Sequence, residues 1–93
     1  MGKIKFYNGA QWNYKYGEHD ISVKVIEGLV ASIELIVDGK VQDAKNGVVL
    51  SADLYGKLPD GKSIKASVGG VFSVQCSVFV DYEQLKLDNK TDI

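Results

Sequence analysis

The strongest constraint on the fold is a stretch of alternating apolar and polar side chains towards the end of the chain. Residues 72–80 read FSVQCSVFV, and every second residue from Phe72 onwards is apolar. A period of two places successive side chains on opposite faces of a strand, so the stretch predicts a β-strand with one dry face. Phe79 adds an apolar side chain to the other face, and Ile36 does the same in an earlier strand. We expect these two positions either to be covered by a terminal segment or to form a partner surface.

The same alternation recurs through most of the chain and is interrupted by short turns. The dipeptides Asn8-Gly9, Asp38-Gly39 and Asn46-Gly47 are typical of two-residue hairpin turns, and Asp60-Gly61 follows the only proline. Asn8-Gly9 is expected to join a strand over residues 3–7 to one over residues 10–16. Turns come roughly every 8–12 residues, which is the spacing found in sandwiches and barrels. The sequence therefore predicts an all-β fold, a small antiparallel β-sandwich or a barrel-like fold, of about 8–9 short strands.

Length sets the number of domains. The chain has 93 residues, of which 45% are hydrophobic, and this suffices for one core. We expect a single all-β domain over residues 1–87. The remaining residues, 88–93, read DNKTDI and predict a flexible polar tail.

Two segments of the chain match without a gap when one is shifted by 43 positions. Ile21 then falls on Ile64 and Asp38 on Asp81, and the apolar positions between them coincide. One interpretation is an internal duplication, which predicts two pseudo-symmetric units of three or four strands packed face to face. The other is that any two hairpins with alternating residues and similar loops would match in this way.

Charge and targeting patterns narrow the class of protein. Eleven basic side chains against twelve acidic ones give a formal net charge of −1, and the basic residues form no run. Nucleic-acid binding is disfavoured, because phosphate recognition usually needs a basic stripe. No window resembles a signal peptide or a membrane-spanning segment, so we expect a cytoplasmic protein without membrane contact. A single cysteine fits such a reducing environment.

Residues with catalytic or metal-binding chemistry are few. Cys76 falls on the apolar face of its predicted strand, where a thiol is inert, and His19 lies in the turn sequence GEHD. A zinc site needs about four ligands, and most aspartates sit near glycines in turns, where they bond their own backbone. We therefore expect a protein that is not an enzyme and that binds no cofactor or metal.

Aromatic residues are the most informative chemical feature. Tyr7, Trp12, Tyr14 and Tyr16 fall within the first sixteen residues. Exposed clusters of Trp and Tyr often bind peptides or sugars, because each ring combines an apolar body with a polar tip. The alternative is that Trp12, Tyr14 and Tyr16, which share one strand face, fill one end of the core.

These features favour a non-catalytic binding or protein-interaction module. An edge strand over residues 40–44 could pair with a strand of a protein partner, or with a second copy of the chain. The alternative is a small-molecule or carbohydrate binder that uses the Trp12, Tyr14 and Tyr16 cluster or a cavity between the sheets.

Overall fold

Alternating side chains produce strands throughout the computed structural model, which describes residues 8–27, 31–47, 51–69 and 74–92. Within those ranges there are nine strands and no helix, hence no helix long and apolar enough to cross a membrane. The strands are β1 (Asn8–Tyr16), β2 (His19–Glu27), β3 (Ala31–Val37), β4 (Lys40–Gly47), β5 (Ser51–Lys57), β6 (Ser63–Gly69), β7 (Gln75–Val80), β8 (Glu83–Gln84) and β9 (Leu87–Asp92). The strand predicted over residues 3–7 lies outside the described residues.

The strands form two antiparallel sheets whose inner faces share one hydrophobic core. The five-stranded sheet has the order β4-β3-β2-β1-β9, and the four-stranded sheet has the order β5-β6-β7-β8. The buried side chains come from both layers: Trp12, Tyr14, Ile21, Val23, Val25, Ile33, Leu35, Val37, Leu54, Leu58, Ile64, Ala66, Val68, Val78 and Val80. Facing the sheets together hides the apolar side that each would otherwise expose. The predicted all-β fold of antiparallel sheets is confirmed, in a sandwich-like arrangement.

The alternating stretch over residues 72–80 provides β7. Val78 and Val80 are buried, and Val74 and Cys76 pack against the core, so the predicted dry face is confirmed for the described part of the stretch. Phe72 lies outside that part. Phe79 points to the other face, as expected from the alternation.

Two hairpins of the chain turn in the same way. Val37 pairs with Lys40 around Asp38-Gly39, and Val80 pairs with Glu83 around Asp81-Tyr82. All four turn residues have positive φ, at 49° and 81° in the first turn and 46° and 70° in the second. This is the conformation of a type I′ hairpin turn, which matches the twist of the flanking strands. The Asp38-Gly39 hairpin is thereby confirmed.

The carboxylates of the two turns also make equivalent contacts. Asp38 Oδ1 accepts a hydrogen bond of 2.8 Å from the backbone N–H of Asp20, and Asp81 Oδ1 accepts one of 2.9 Å from that of Ser63. The backbone N–H groups of Asp38 and Asp81 bond in return to the carbonyls of Asp20 and Ser63. Each position in the first set lies 43 residues before its counterpart in the second.

Two predicted hairpin turns are wrong. Asn8-Gly9 lies inside β1, where the two residues pair with Glu27 and Ile26, because β2 continues opposite them. Asn46-Gly47 lies inside β4, where it pairs with the start of β3, and the next strand of the chain belongs to the other sheet.

Side chains of β4 close one side of the two-layer structure. The register between β3 and β4 shifts at Gln42, which is an extra residue in its strand. Its side chain accepts a hydrogen bond of 2.7 Å from the Lys57 N–H and donates one of 2.8 Å to the Lys57 carbonyl. Asp43 accepts another, of 3.0 Å, from the Tyr55 N–H. Since β5 is an edge strand, these side chains occupy backbone groups that a further strand would need.

The C-terminal residues differ from the flexible tail predicted over 88–93. Leu87–Asp92 forms β9, which follows β8 of the four-stranded sheet and pairs with β1 of the five-stranded sheet. The Asn13 side-chain amide donates a hydrogen bond of 2.7 Å to Asn89 Oδ1. Lys90 Nζ lies 5.3 Å from the centroid of the Trp12 ring. Backbone pairing and these two contacts hold a segment whose composition alone indicates disorder.

Candidate binding surface

The structure divides the aromatic cluster predicted from the sequence. Trp12 and Tyr14 are buried, with 5% and 2% of their surfaces exposed, and Tyr16 is partly buried against the same core. Tyr7 lies outside the described residues. The core alternative therefore fits Trp12 and Tyr14, which offer almost no surface to a ligand in this conformation.

Tyr14 connects the two sheets. Its hydroxyl donates a hydrogen bond of 3.2 Å to the backbone carbonyl of Cys76 in β7. Burial, and then this hydrogen bond, raise the pKa of Tyr14 well above its ordinary value. The polar end of a large core residue is thus satisfied by the opposite layer, which is a structural role.

Cys76 and His19 have separate surroundings. Cys76 is partly buried, and burial raises the pKa of its thiol, which lowers the thiolate fraction near neutral pH. His19 Nδ1 lies 2.7 Å from Asp38 Oδ2 at the end of the five-stranded sheet. The pKa of Asp38 is lowered, first by the hydrogen bond from the Asp20 N–H and then by the one with His19. The histidine thus interacts with a turn carboxylate rather than with the thiol.

Two further aspartates are occupied by hydrogen bonds within the protein. Asp60 accepts bonds from the backbone N–H and the ammonium of Lys62, which lower its pKa. Asp53 accepts a bond of 2.7 Å from the Ser67 hydroxyl. Among the described residues, no group of three or more His, Cys, Asp or Glu side chains is placed to hold a metal ion.

A different set of aromatic residues lies on the outer face of the four-stranded sheet, where Tyr55 is exposed and Phe79 is partly buried. Tyr55 of β5 pairs with Lys65 of β6, and Lys65 pairs with Phe79 of β7. Directly opposed residues of antiparallel strands share a face, so the three side chains form a row across the sheet. The row borders a pocket of about 390 Å³ lined by Tyr55, Ser63, Ile64, Lys65, Phe79 and Tyr82. We call this pocket the aromatic groove.

Tyr82 is the most unusual residue of the aromatic groove. Its side chain is 98% exposed, and its backbone has a φ of 70°. The equivalent position of the other type I′ turn is Gly39, the residue type that this conformation favours. A left-handed conformation costs a residue with a Cβ about 1–2 kcal/mol. Tyr82 therefore carries a backbone cost that burial of its ring does not offset.

A second, smaller pocket lies at the junction of the sheets. It has a volume of about 270 Å³, and its lining includes Asp38 and Lys40 of one hairpin and Lys57 and Pro59 of the opposite sheet and loop. Its lining also includes Val37, Leu58 and Gln42, and it lacks the row of rings that distinguishes the aromatic groove.

Sequence reasoning missed Tyr55 and Tyr82 but marked Phe79. The apolar residue on the wetter face of β7 pointed to a cover or a partner surface, and Phe79 lines the aromatic groove. Tyr55 and Tyr82 are far from each other in sequence and meet only through the order of strands. A signal for Tyr82 was present in the 43-residue match, which places it on Gly39.

Comparison with known proteins gives no family for this chain. No protein-family model matches it, and neither a curated protein nor a solved structure matches it.

Proposed function

We propose that this protein is a non-catalytic binding module that contacts a protein partner through the aromatic groove. The observation that carries the proposal is Tyr82, an almost fully exposed ring held in a left-handed backbone conformation. Strained backbone positions cluster at binding sites, where the strain is tolerated because it presents a side chain to a ligand. Tyr82 lines the same pocket as Tyr55 and Phe79, so the strained position lies beside the other two rings.

The aromatic groove has the composition of an interface centre. Tyr and Phe are enriched at the centres of protein interfaces, where they contribute large areas at a small cost in conformational entropy. Tyr55 and Phe79 lie on β5 and β7, which both pair with β6, and this pairing fixes the spacing of their backbones before a partner arrives. A preformed surface of this kind loses little freedom on binding.

The surroundings of Cys76 and His19 support the non-catalytic part of the proposal. The thiol has a raised pKa and the imidazole interacts with a turn aspartate, so neither is arranged as a nucleophile with its base.

Selection from a displayed library of short random peptides tests the proposed function. Peptides enriched on the wild-type protein should lose binding to Tyr82→Gly and to Tyr55→Ala. When added to the wild-type protein, the same peptides should perturb the NMR signals of Tyr55, Phe79 and Tyr82. Val41→Ala is a matched control, because Val41 is an exposed apolar side chain on the other sheet. Enriched peptides that bind both groove variants as tightly as the wild type would overturn the proposal.

A small-molecule ligand, such as a carbohydrate, is the second candidate. The volume of the aromatic groove, about 390 Å³, falls within the usual range of ligand pockets. A panel of saccharides and aromatic compounds that shifts the thermal midpoint of the wild-type protein, but not that of Tyr55→Ala, would favour this candidate over a peptide.

We also propose that β2 to β4 and β6 to β8 descend from one duplicated unit. The equal turns and the equivalent hydrogen bonds of Asp38 and Asp81 support this. If the hairpins are equivalent, Gly39→Tyr should destabilise the protein by about as much as Tyr82→Gly stabilises it. Effects of clearly unequal size in urea unfolding would count against equivalence.

For location, we propose the cytoplasm. One partly buried cysteine suits a compartment that keeps thiols reduced. Fractionation of cells that express the tagged chain would test this, and recovery in a secreted fraction would contradict it.

A further inference from the structure

The chemistry of the aromatic groove also indicates what kind of segment it recognises. Resting on the proposed function, we propose that the groove binds an acidic peptide segment, in which an apolar side chain packs on the rings and a neighbouring carboxylate reaches Lys65.

Among the described residues, Lys65 is the only charged one that lines the aromatic groove. It stands between Tyr55 and Phe79 in the row across β5, β6 and β7. Within the described part of the chain, the ion pairs are made by other side chains, namely Lys15 with Asp20, His19 with Asp38 and Lys62 with Asp60. The ammonium of Lys65 therefore remains available to an anion from outside.

Two carboxylates that adjoin groove residues in the sequence accept hydrogen bonds from other groups. Asp53, two residues before Tyr55, accepts a hydrogen bond from the Ser67 hydroxyl. Asp81, next to Tyr82, accepts one from the Ser63 backbone N–H. Both contacts are short, at 2.7 and 2.9 Å. Both carboxylates keep their charge, but their hydrogen bonds are made with groups other than Lys65, so the ammonium of Lys65 is the charged group that lines the groove.

Three aromatic rings with one cation suit an apolar, negatively charged segment better than a neutral sugar. A sugar needs several hydrogen-bond partners for its hydroxyl groups. Besides the two tyrosine hydroxyls, the described lining residues offer only two polar side-chain groups, the hydroxyl of Ser63 and the ammonium of Lys65. An apolar side chain gains from the ring surfaces, and a carboxylate gains from the ammonium. An exposed ion pair between Lys65 and a peptide carboxylate contributes more to the choice of partner than to affinity.

Peptide selection on charge variants tests this inference. Peptides enriched on the wild-type protein should combine an aromatic or branched apolar residue with Asp or Glu. Selection on Lys65→Glu should replace the acidic residue by Lys or Arg. The matched control is Lys45→Glu, which makes the same change of charge at an exposed lysine of β4 in the other sheet and should leave the acidic preference unchanged.

Affinity measurements on one enriched peptide complete the test. Its amide analogue, with Asn or Gln in place of Asp or Glu, should bind the wild-type protein about two- to five-fold more weakly. Lys65→Met should bind both peptides equally, and added salt should reduce the preference of the wild type.

The two proposals fail in different ways. Groove-dependent binding without an acidic preference would overturn the role of Lys65 and leave the proposed function standing. Binding that ignores Tyr55 and Tyr82 would overturn both.

Discussion

Tyr82 shows how one residue can oppose the stability of its own hairpin. Its φ of 70° suits glycine, yet the position carries one of the largest side chains in the chain, 98% exposed. The hairpin still forms because the Asp81 carboxylate and the pairing of Val80 with Glu83 hold the turn from both sides. These contacts stabilise the turn and offset the backbone cost of placing an exposed ring at the edge of the aromatic groove.

Replacing Tyr82 by glycine should stabilise the protein by about 0.5–1 kcal/mol. Glycine removes the energetic cost of the left-handed backbone, and this gain exceeds the cost of the extra conformational entropy that glycine gives to the unfolded chain. Urea unfolding monitored by Trp12 fluorescence would measure the change. Gly39→Ala at the equivalent turn should have the opposite sign. A loss of stability in Tyr82→Gly would show that the ring makes contacts that support the fold.

Tyr14→Phe should cost about 1 kcal/mol at neutral pH, because the Cys76 carbonyl loses a donor in the core. The pH dependence should change as well. The pKa of Tyr14 is raised in the folded state, so its contribution is fully present below the unfolded pKa of about 10 and is lost as the pH rises above that value. Unfolding curves between neutral pH and pH about 11 should fall less steeply for Tyr14→Phe than for the wild type. If the stability of both proteins falls equally steeply with pH, deprotonation of Tyr14 is not the cause of the loss of stability at alkaline pH.

At the scale of the strands, the bulge in β4 and Gly56 in β5 depend on each other. Gln42 reaches across to the backbone of Lys57 and passes directly over Gly56. A Cβ at position 56 would lie 2.5 Å from Gln42 Oε1 and 3.2 Å from Leu35 Cδ2. Glycine is needed here for a close approach rather than for a turn, since its φ is not among the positive values.

Gly56→Ala should therefore destabilise the protein by about 1–3 kcal/mol, as expected for overpacking. In a Gln42→Ala background the same change should cost less, because the closest obstacle has been removed. A double-mutant cycle of chemical unfolding would measure the coupling. If the effects of the two substitutions are additive, Leu35 and not Gln42 limits the space for a Cβ at position 56.

The strands themselves were predictable, and several of their connections were not. Alternation identifies β7 because its period does not depend on the partner strand. The Asn8-Gly9 dipeptide favours a turn, but pairing with Glu27 and Ile26 on β2 overrides that preference. Residues 88–93 look disordered by composition, and within the described residues 88–92 the edge of β1 supplies the strand with which they pair. Such outcomes depend on neighbours that are distant in sequence.

At the scale of the whole molecule, β9 joins the layers by leaving the four-stranded sheet and completing the five-stranded one. It also lies beside Trp12, whose ring faces the Lys90 ammonium at 5.3 Å. The exposure of the tryptophan therefore depends on the last strand of the chain.

Truncation after Leu87 should expose Trp12 and lower the free energy of unfolding. We expect a red shift of tryptophan emission in the native truncated protein, because water reaches the indole. Lys90→Ala, which keeps β9 in place, should produce a smaller shift. Unchanged emission in the truncated protein would show that Trp12 is covered by other parts of the core.

The location of the candidate site could not be read from the sequence for a related reason. Alternation shows that Trp12, Tyr14 and Tyr16 share a face, but it does not show which face meets the second sheet. The aromatic groove brings together Tyr55, Phe79 and Tyr82 from β5, β7 and the turn after it. Only the order of the strands places these residues side by side.

The side chains that bind the rim of β5 also bear on how this protein behaves when it is concentrated. Fibril growth proceeds when a neighbouring molecule docks its own backbone along an open strand. At β5 the amides of Tyr55 and Lys57 and the carbonyl of Lys57 are already bonded to Asp43 and Gln42. This flank is therefore shielded against polymerisation by two residues of the same chain, and their removal should make assembly of copies along β5 easier.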